Sequence, residues 1–327
     1  LVLRNKELYL VNQFGKPILC FYKIMKKRNF IFSLALLFFF CVSCSEKDVD
    51  PVVIVEEIEE EIDDTETVNF SDINFLNWKL TLPVDENNNG SPDEYQPNVL
   101  VNGGYRNITA IAPYMYDDTS DASLVFYTFP ASTTTNSSYS RTELRELIAP
   151  SNARINWTLE TGGTMHGKLK MMSISEDNNS SRQYHSTIVM QIHGILSIED
   201  MARLNLTSNN GPPLIKMRWI DGDLWVYKKS LVNDATSGDD LFDVSTSTWV
   251  DEKHNMGTVG FDAFEFRITA SEGKIELQLN NEIPYVYEDV SLAKWPFENY
   301  FKAGNYLATT QTGAFSRLKY YNLTVTH

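Results

Sequence analysis

Three short stretches collect groups that can neutralise an acid and move a proton beside it. Arg141–Leu147 reads RTELREL, Val189–His193 reads VMQIH, and Tyr300–Tyr306 reads YFKAGNY. A β-strand sends successive side chains to opposite faces. As strands, the first puts Arg141, Glu143 and Arg145 on one face. The second puts Val189, Gln191 and His193 on one face and turns Met190 and Ile192 toward a core. The third gathers Tyr300, Lys302, Gly304 and Tyr306, with Phe301, Ala303 and Asn305 opposite. Any one such face is an ordinary wet sheet surface. The pooled set of guanidiniums, carboxylate, amide, imidazole, amine and phenols suits one chemistry. A sugar-ring carboxylate held among Arg, Gln and His loses its charge, and the hydrogen on the adjacent carbon becomes more acidic. A base removes that proton, the same donors hold the enolate-like dianion, and a phenol protonates the departing glycosidic oxygen. Such an elimination requires neither metal nor organic cofactor. Hydrolysis calls for two facing carboxylates. Only Glu143 stands among these groups, and its place between two arginines suggests that it fixes them.

The elements that must position these groups are strands. From about residue 68 onward no helical repeat is visible. Short alternating or β-branched runs recur instead, among them SLVFYTF (123–129), LIKMRW (214–219), FEFRIT (264–269) and KIELQL (274–279), divided by Gly, Asn, Asp, Ser and Pro. Many short strands with turn chemistry between them indicate an all-β sandwich or barrel, and the length suits one domain. The composition is globular, at 43% hydrophobic and 12% aromatic residues.

The N-terminal portion reads differently. Residues 1–24 precede a natural start at Met25 and resemble an over-extended gene start. Residues 25–44 read as a lipoprotein-type signal: basic Lys26, Lys27 and Arg28, an apolar run from Phe30 to Val42, then Ser43 and Cys44 as the lipidated residue. Residues 45–67 form an acidic tether with eleven carboxylates against Lys47, a run that repels itself and stays extended. The domain proper is 68–327. The cysteines are Cys20, Cys41 and Cys44, so the exported domain holds without disulfides and has no thiol nucleophile or thiolate metal site. The chain carries a net charge of −15, and residues 67–327 are themselves net negative. That argues against nucleic acid as a partner. An anionic substrate would need a locally basic cleft.

Together, RTELREL, QIH and YFKAGNY resemble the three signature motifs of polysaccharide lyase family 7, the alginate lyases. FLNWKLTLP (75–83) resembles the family's first strand, and YYNLTVTH (320–327) its last. The resemblance spans about residues 70–327. It implies a β-jelly-roll sandwich of two antiparallel sheets with the substrate, alginate, in a concave groove. Carried over residue by residue, Arg141 and Gln191 neutralise the uronate carboxylate with His193 beside them. His193 is the base for guluronate, and Tyr306 is the acid, or acid and base together for mannuronate. Glu143, Arg145 and Lys302 make up the substrate-binding set: Arg145 and Lys302 line the groove, and Glu143 orients the arginines. Endo-acting cleavage with guluronate-containing blocks accepted is the expected activity, Ile192 between Gln and His being the family cue for guluronate. A monomer is expected, touching a membrane only through its lipid anchor. A non-catalytic glycan-binding jelly roll and a lyase of another polyuronate are the alternatives. The presence of both His193 and Tyr306 favours an enzyme. No cofactor and no metal are expected in the site. Asp85–Asp93, DENNNGSPD, partly matches a calcium loop but has Gln96 where an acidic ligand would close it, so an Asn/Gly turn competes with a structural ion there.

Cys44→Ala should release the protein from the membrane fraction or block its processing. Fractionation checks this, and unchanged partitioning would show that Cys44 is not the anchor.

Overall fold

Alternation becomes strand wherever a period of two can bury one face. The computed structural model describes residues 68–150 and 152–327. Near the start of the chain it also describes three short antiparallel strands, β1 (Val2–Arg4), β2 (Glu7–Val11) and β3 (Pro17–Ile18). The expected signal, Cys44 and the acidic tether lie outside the described residues. Beyond residue 68 the chain forms β4 (Trp78–Thr81), β5 (Glu94–Tyr95), β6 (Met115–Asp118), β7 (Ser123–Thr128), β8 (Arg141–Glu146), β9 (Gly163–Ile174), β10 (Thr187–Ile195), β11 (Asn210–Ile220), β12 (Asp223–Leu231), β13 (Trp249–Thr258), β14 (Ala263–Ser271), β15 (Lys274–Leu279), β16 (Tyr285–Glu288), β17 (Glu298–Leu307) and β18 (Ser316–Thr326). They make two antiparallel sheets. One has eight strands in the order β13-β12-β11-β10-β17-β8-β4-β5, the other seven in the order β16-β15-β14-β9-β18-β7-β6. The expected all-β sandwich is what forms.

The two sheets bury their faces differently. Along β14, Phe264, Phe266, Ile268 and Ala270 point into the core while Glu265, Arg267 and Thr269 stay at least partly exposed. This is the one-sided pattern of a sheet with a wet outer face. Every residue of β10 except His193 is buried. One face of β10 meets the core, and the other floors a cleft.

A register shift in β10 alters the face expected for one residue. Ile188 pairs with Tyr306, yet Met190 pairs with Ala303, so two steps on β10 match three on β17. Val189 therefore joins Met190 and Ile192 in the core instead of sharing a face with Gln191 and His193, and Ile188 takes the cleft side. A one-residue irregularity of this kind re-aims side chains on either side of it, and nothing in the letters VMQIH announces it.

Behind the cleft strands, the core contains fully bonded polar groups. Asn305 is completely buried. Its Oδ1 accepts from Thr187 Oγ1 (2.7 Å) and Ser316 Oγ (2.6 Å), and its Nδ2 donates to the carbonyls of Phe126 (3.0 Å) and Ser316 (2.9 Å). It thus ties β17 to β10 in its own sheet and to β7 and β18 in the other. The Tyr320 hydroxyl donates to the Val189 carbonyl (2.5 Å). Glu146 accepts from Trp157 Nε1 (3.0 Å), from the Phe301 amide (2.9 Å) and from His327 Nε2 (2.7 Å). In the Asp85–Asp93 turn, Asp85 accepts from the amides of Asn89 (3.0 Å) and Gly90 (2.8 Å), while Asp93 accepts from the Glu86 amide (3.1 Å). Those carboxylates are engaged as turn caps. Among the described residues no cluster of three or more His, Cys, Asp or Glu is placed to hold a metal ion.

Asn305→Ala strands several buried partners at once, and each costs about 1–3 kcal/mol. Denaturant unfolding should show a loss of at least ~3 kcal/mol. A loss below ~1 kcal/mol would mean that the two sheets do not depend on this clip.

Candidate active site

Residues paired directly across neighbouring strands share a face, and the register of the eight-stranded sheet lines its functional side chains into rows. One row crosses seven strands: Lys79, Arg145, Lys302, Gln191, Lys216, Tyr227 and Lys253. At ~4.8 Å per strand it spans about 29 Å. Five of its seven members are cations, in a chain whose net charge is −15. The cleft has the local basic character that an anionic ligand demands. A second row runs Arg141, Tyr306, Ile188, Arg218. On the other flank His193 pairs with Tyr300 and Pro213.

Two adjoining clefts lie over these rows. The first, about 360 Å³, is lined by Arg141, Gln191, His193 and Tyr306. The second, about 290 Å³, is lined by Arg145, Lys302, Tyr300 and Lys79, and shares Arg141 and His193 with the first. The proposed catalytic residues and the groove cations thus converge from β8, β10 and β17, three strands adjacent in the sheet and far apart in sequence.

Glu143 departs from expectation. It is only 1% exposed and lines neither cleft, so it lies behind the groove. Its Oε2 pairs with Arg141 Nη1 (3.2 Å) and with Lys302 Nζ, and its Oε1 accepts from Gln191 Nε2 (2.5 Å). It holds one arginine, a lysine and the amide. Arg145 is held by other groups: Nη2 donates to the Ala153 carbonyl (3.0 Å) and to Asn156 Oδ1 (3.1 Å), and the guanidinium lies 4.1 Å over the Tyr300 ring. Strand parity places Glu143 beside both arginines but cannot show which way each long side chain turns.

His193 is stacked on Tyr300, with ring centroids 5.2 Å apart and planes 13° apart. Its Nδ1 lies 2.9 Å from the Gly194 carbonyl. A carbonyl only accepts, so Nδ1 carries the proton and Nε2 of the neutral ring offers a lone pair. Burial, reinforced by the positive charge of Lys302 and Arg141, pushes the imidazole down to about 3, and the ring is neutral across the ordinary pH range. Burial also brings Lys302 down to about 8, with Arg141 adding to the effect and Glu143 opposing it. Burial raises the Tyr300 phenol, which keeps that ring protonated.

Tyr306 lies under the Arg141 guanidinium, 4.0 Å from its ring centroid. Its hydroxyl is 2.6 Å from Ser137 Oγ, and Tyr139 packs 6.2 Å from its ring. Sequence reasoning missed Asn136, Ser137 and Tyr139. The cleft is bordered by residues 134–136 and Tyr139, by Asn210–Pro213 and by Val244. A polar Asn-Ser-Ser-Tyr run entering directly upstream of Arg141 was the available signal. His185, which shares strand parity with His193, is buried beside Asp177 at 3.7 Å and lines neither cleft.

Comparison with known proteins bears on this arrangement. Residues 73–327 match the family model described as "Alginate lyase". A curated alginate lyase of Klebsiella pneumoniae is 25% identical over 295 residues, covering 76% of this chain and 88% of the relative. The solved structure of the family 7 alginate lyase A1-II' with product (GGG) superposes at TM-score 0.60 and 28% identity, covering 79% of this chain and 97% of that one. The same lyase with substrate (GGMG) superposes at 0.57 and 26%, covering 77% and 93%. A sandwich of two antiparallel sheets, a basic cleft over the motif strands and a family match across nearly the whole folded region lead to one conclusion: this chain belongs to the alginate lyases of polysaccharide lyase family 7.

Proposed function

We propose that this domain cuts the 1,4-glycosidic bond within alginate chains by β-elimination, leaving 4,5-unsaturated uronate ends. The observation that carries this is the convergence of Arg141, Gln191, His193 and Tyr306 on one cleft crossed by a cationic row. A uronate carboxylate pairs with the Arg141 guanidinium and the free N–H of Gln191, whose other N–H is held by Glu143. Neutralised in this way, its C5–H is acidic enough for His193 Nε2 to remove on guluronate. The electron pair left on C5 forms the C4–C5 double bond as the C4–O bond breaks. The departing oxygen takes the Tyr306 phenolic proton. On mannuronate, where the C5 proton lies on the other face, Tyr306 enters as its phenolate, takes the C5 proton and passes it to the departing oxygen, ending as phenolate again. A bound carboxylate opposes the cations that depress His193 and so raises its basicity on binding.

The cationic row continues past the reacting groups in both directions, to Lys79, which also pairs with Glu94, on one side and to Lys216, which also pairs with Asp251, and Lys253 on the other. A polymer can therefore be gripped along its length, which supports internal cutting of the chain. Ile192, the family cue for guluronate, is fully buried. It can act only by setting the position of its neighbours Gln191 and His193. Export with lipid attachment at Cys44 would place the enzyme at the cell surface, facing extracellular polysaccharide.

Incubating the full-length protein with guluronate and mannuronate blocks should raise the ultraviolet absorbance of the conjugated double bond. Guluronate-containing blocks should react, and long products should precede short ones. Tyr306→Phe keeps the ring beneath Arg141 and removes the proton, so it should cost ~10²–10⁴ in rate with little change in folding. Binding without any absorbance change would leave a glycan-binding module, and a response to another polyuronate alone would change the substrate.

The pH dependence follows from Lys302. Its cation is lost as pH rises through about 8, so kcat/KM should fall over that range. His193 is already neutral there and adds no acid limb near 6. Lys302→Arg stays charged and should carry the plateau to higher pH. An unaltered profile in that variant would take Lys302 out of the alkaline limb.

A further inference from the structure

We infer that Ser137 is a positioning residue for Tyr306, receiving the phenolic proton in the resting enzyme and stabilising the phenolate oxygen once that proton has gone to the leaving group. The inference rests on the elimination described above. It starts from a count of protons. Ser137 Oγ lies 3.0 Å from the Tyr139 carbonyl and 2.6 Å from the Tyr306 hydroxyl. A serine has one proton to give, and a carbonyl can only accept. The Ser137 proton therefore goes to Tyr139, and Tyr306 donates to Ser137. The Tyr139 amide approaches the same Oγ from 3.3 Å, which closes a two-residue turn and holds the serine hydroxyl in place.

The direction of that hydrogen bond has consequences for the reaction. The phenolic proton starts on the Ser137 side, and the C–O rotor must turn it toward the glycosidic oxygen. When it transfers, the C4–O electron pair becomes the new O–H bond and Tyr306 is left as a phenolate under the Arg141 guanidinium. Ser137 can then turn its single O–H from the Tyr139 carbonyl to the phenolate oxygen. No proton is gained or lost by the serine; it exchanges a neutral acceptor for a charged one. Hydrogen bonds to ionised oxygen are roughly twice as strong as neutral ones, so the interaction strengthens as charge develops, which is the condition for lowering a barrier. The Tyr139 ring, packed against Tyr306, keeps the phenol within reach during the exchange.

Ser137→Ala, Ser137→Thr and Tyr306→Phe, singly and with Ser137→Ala combined with Tyr306→Phe, test this on the full chain by steady-state kinetics on alginate. Ser137→Ala should lower kcat by ~10–100-fold, the range for a lost hydrogen bond to a charged group, with KM changed less than about threefold. Ser137→Thr keeps the hydroxyl and should recover most of the rate. In the Tyr306→Phe background, Ser137→Ala should cost nothing further, because there is no phenol left to assist. An equal loss in Ser137→Ala and Ser137→Thr, a loss that persists in the Tyr306→Phe background, or an effect confined to KM would overturn the inference. Full activity in Ser137→Ala would do the same. If Tyr306→Phe is itself unimpaired, the failure lies with the elimination mechanism and its choice of acid, and the inference falls with it.

Discussion

A buried carboxylate organises the cleft. Taking an ion such as Glu143 out of water costs several kcal/mol unless close partners compensate it. Arg141 and Lys302 supply opposite charge, and Gln191 supplies a further donor. These come from β8, β17 and β10, so one satisfied ion ties three neighbouring strands at the level where substrate would bind. The reverse also holds. Without Glu143, Arg141 and Lys302 would face each other as like charges, and Gln191 would lose the bond that turns it. Close approach of the backbones is a condition for this. Gly304 pairs with Glu143 in the ladder, at φ +141°, and a Cβ there would lie 2.6 Å from the Thr142 carbonyl and 2.8 Å from Glu143 Cα. Glycine is required because β17 must come that near β8 for Lys302 to reach the carboxylate.

The remaining positive charge is stored on aromatic faces. Arg141 lies over Tyr306 and Arg145 over Tyr300, and Tyr227 is approached by Arg218 and Lys253 at 5.0 and 5.1 Å from its ring centroid. Ring faces attract cations without neutralising them. The charge therefore stays available to a polyanion, unlike Lys216 and Lys229 on the same floor, which already share Asp251 (2.8 and 2.9 Å). Burial, with the charge of Lys302 and Arg141 adding to it, keeps His193 unprotonated. A neutral imidazole with its Nε2 lone pair free is the form a base needs, and the Gly194 carbonyl selects that tautomer.

Much of this was legible in the sequence because strand geometry is periodic. Alternation in RTELREL, QIH and YFKAGNY placed Arg141, Arg145, Gln191, His193, Lys302 and Tyr306 on one surface, and the sheet order brings them together. It also set Asn305 on the far side, where it binds the two sheets. What escaped lies where periodicity breaks or where reach matters more than parity. The irregularity at Ile188–Met190 moved Val189 inward. Glu143 shares parity with the groove cations, yet its side chain ends beneath them, since a direction along the strand says nothing of depth. Asn136, Ser137 and Tyr139 sit in an irregular segment with no period to read.

This division between floor and wall has a chemical logic. Charge neutralisation works best with donors that need no rearrangement when charge develops, and Arg141, Gln191 and Lys302 are fixed by the ladder from the sides and by Glu143 from beneath. Behind them the side chains of Asn305, Glu146 and Tyr320 are themselves hydrogen-bonded and brace the floor strands. Proton delivery in the proposed elimination makes the opposite demand, because its donor would have to change partners during the reaction. Tyr306 stands at the seam between these regions, with its ring set by β17 and Arg141 and its hydroxyl turned to the wall at Ser137. The group proposed to give up its proton is thus held by a rotor on one side and by a rigid cation on the other.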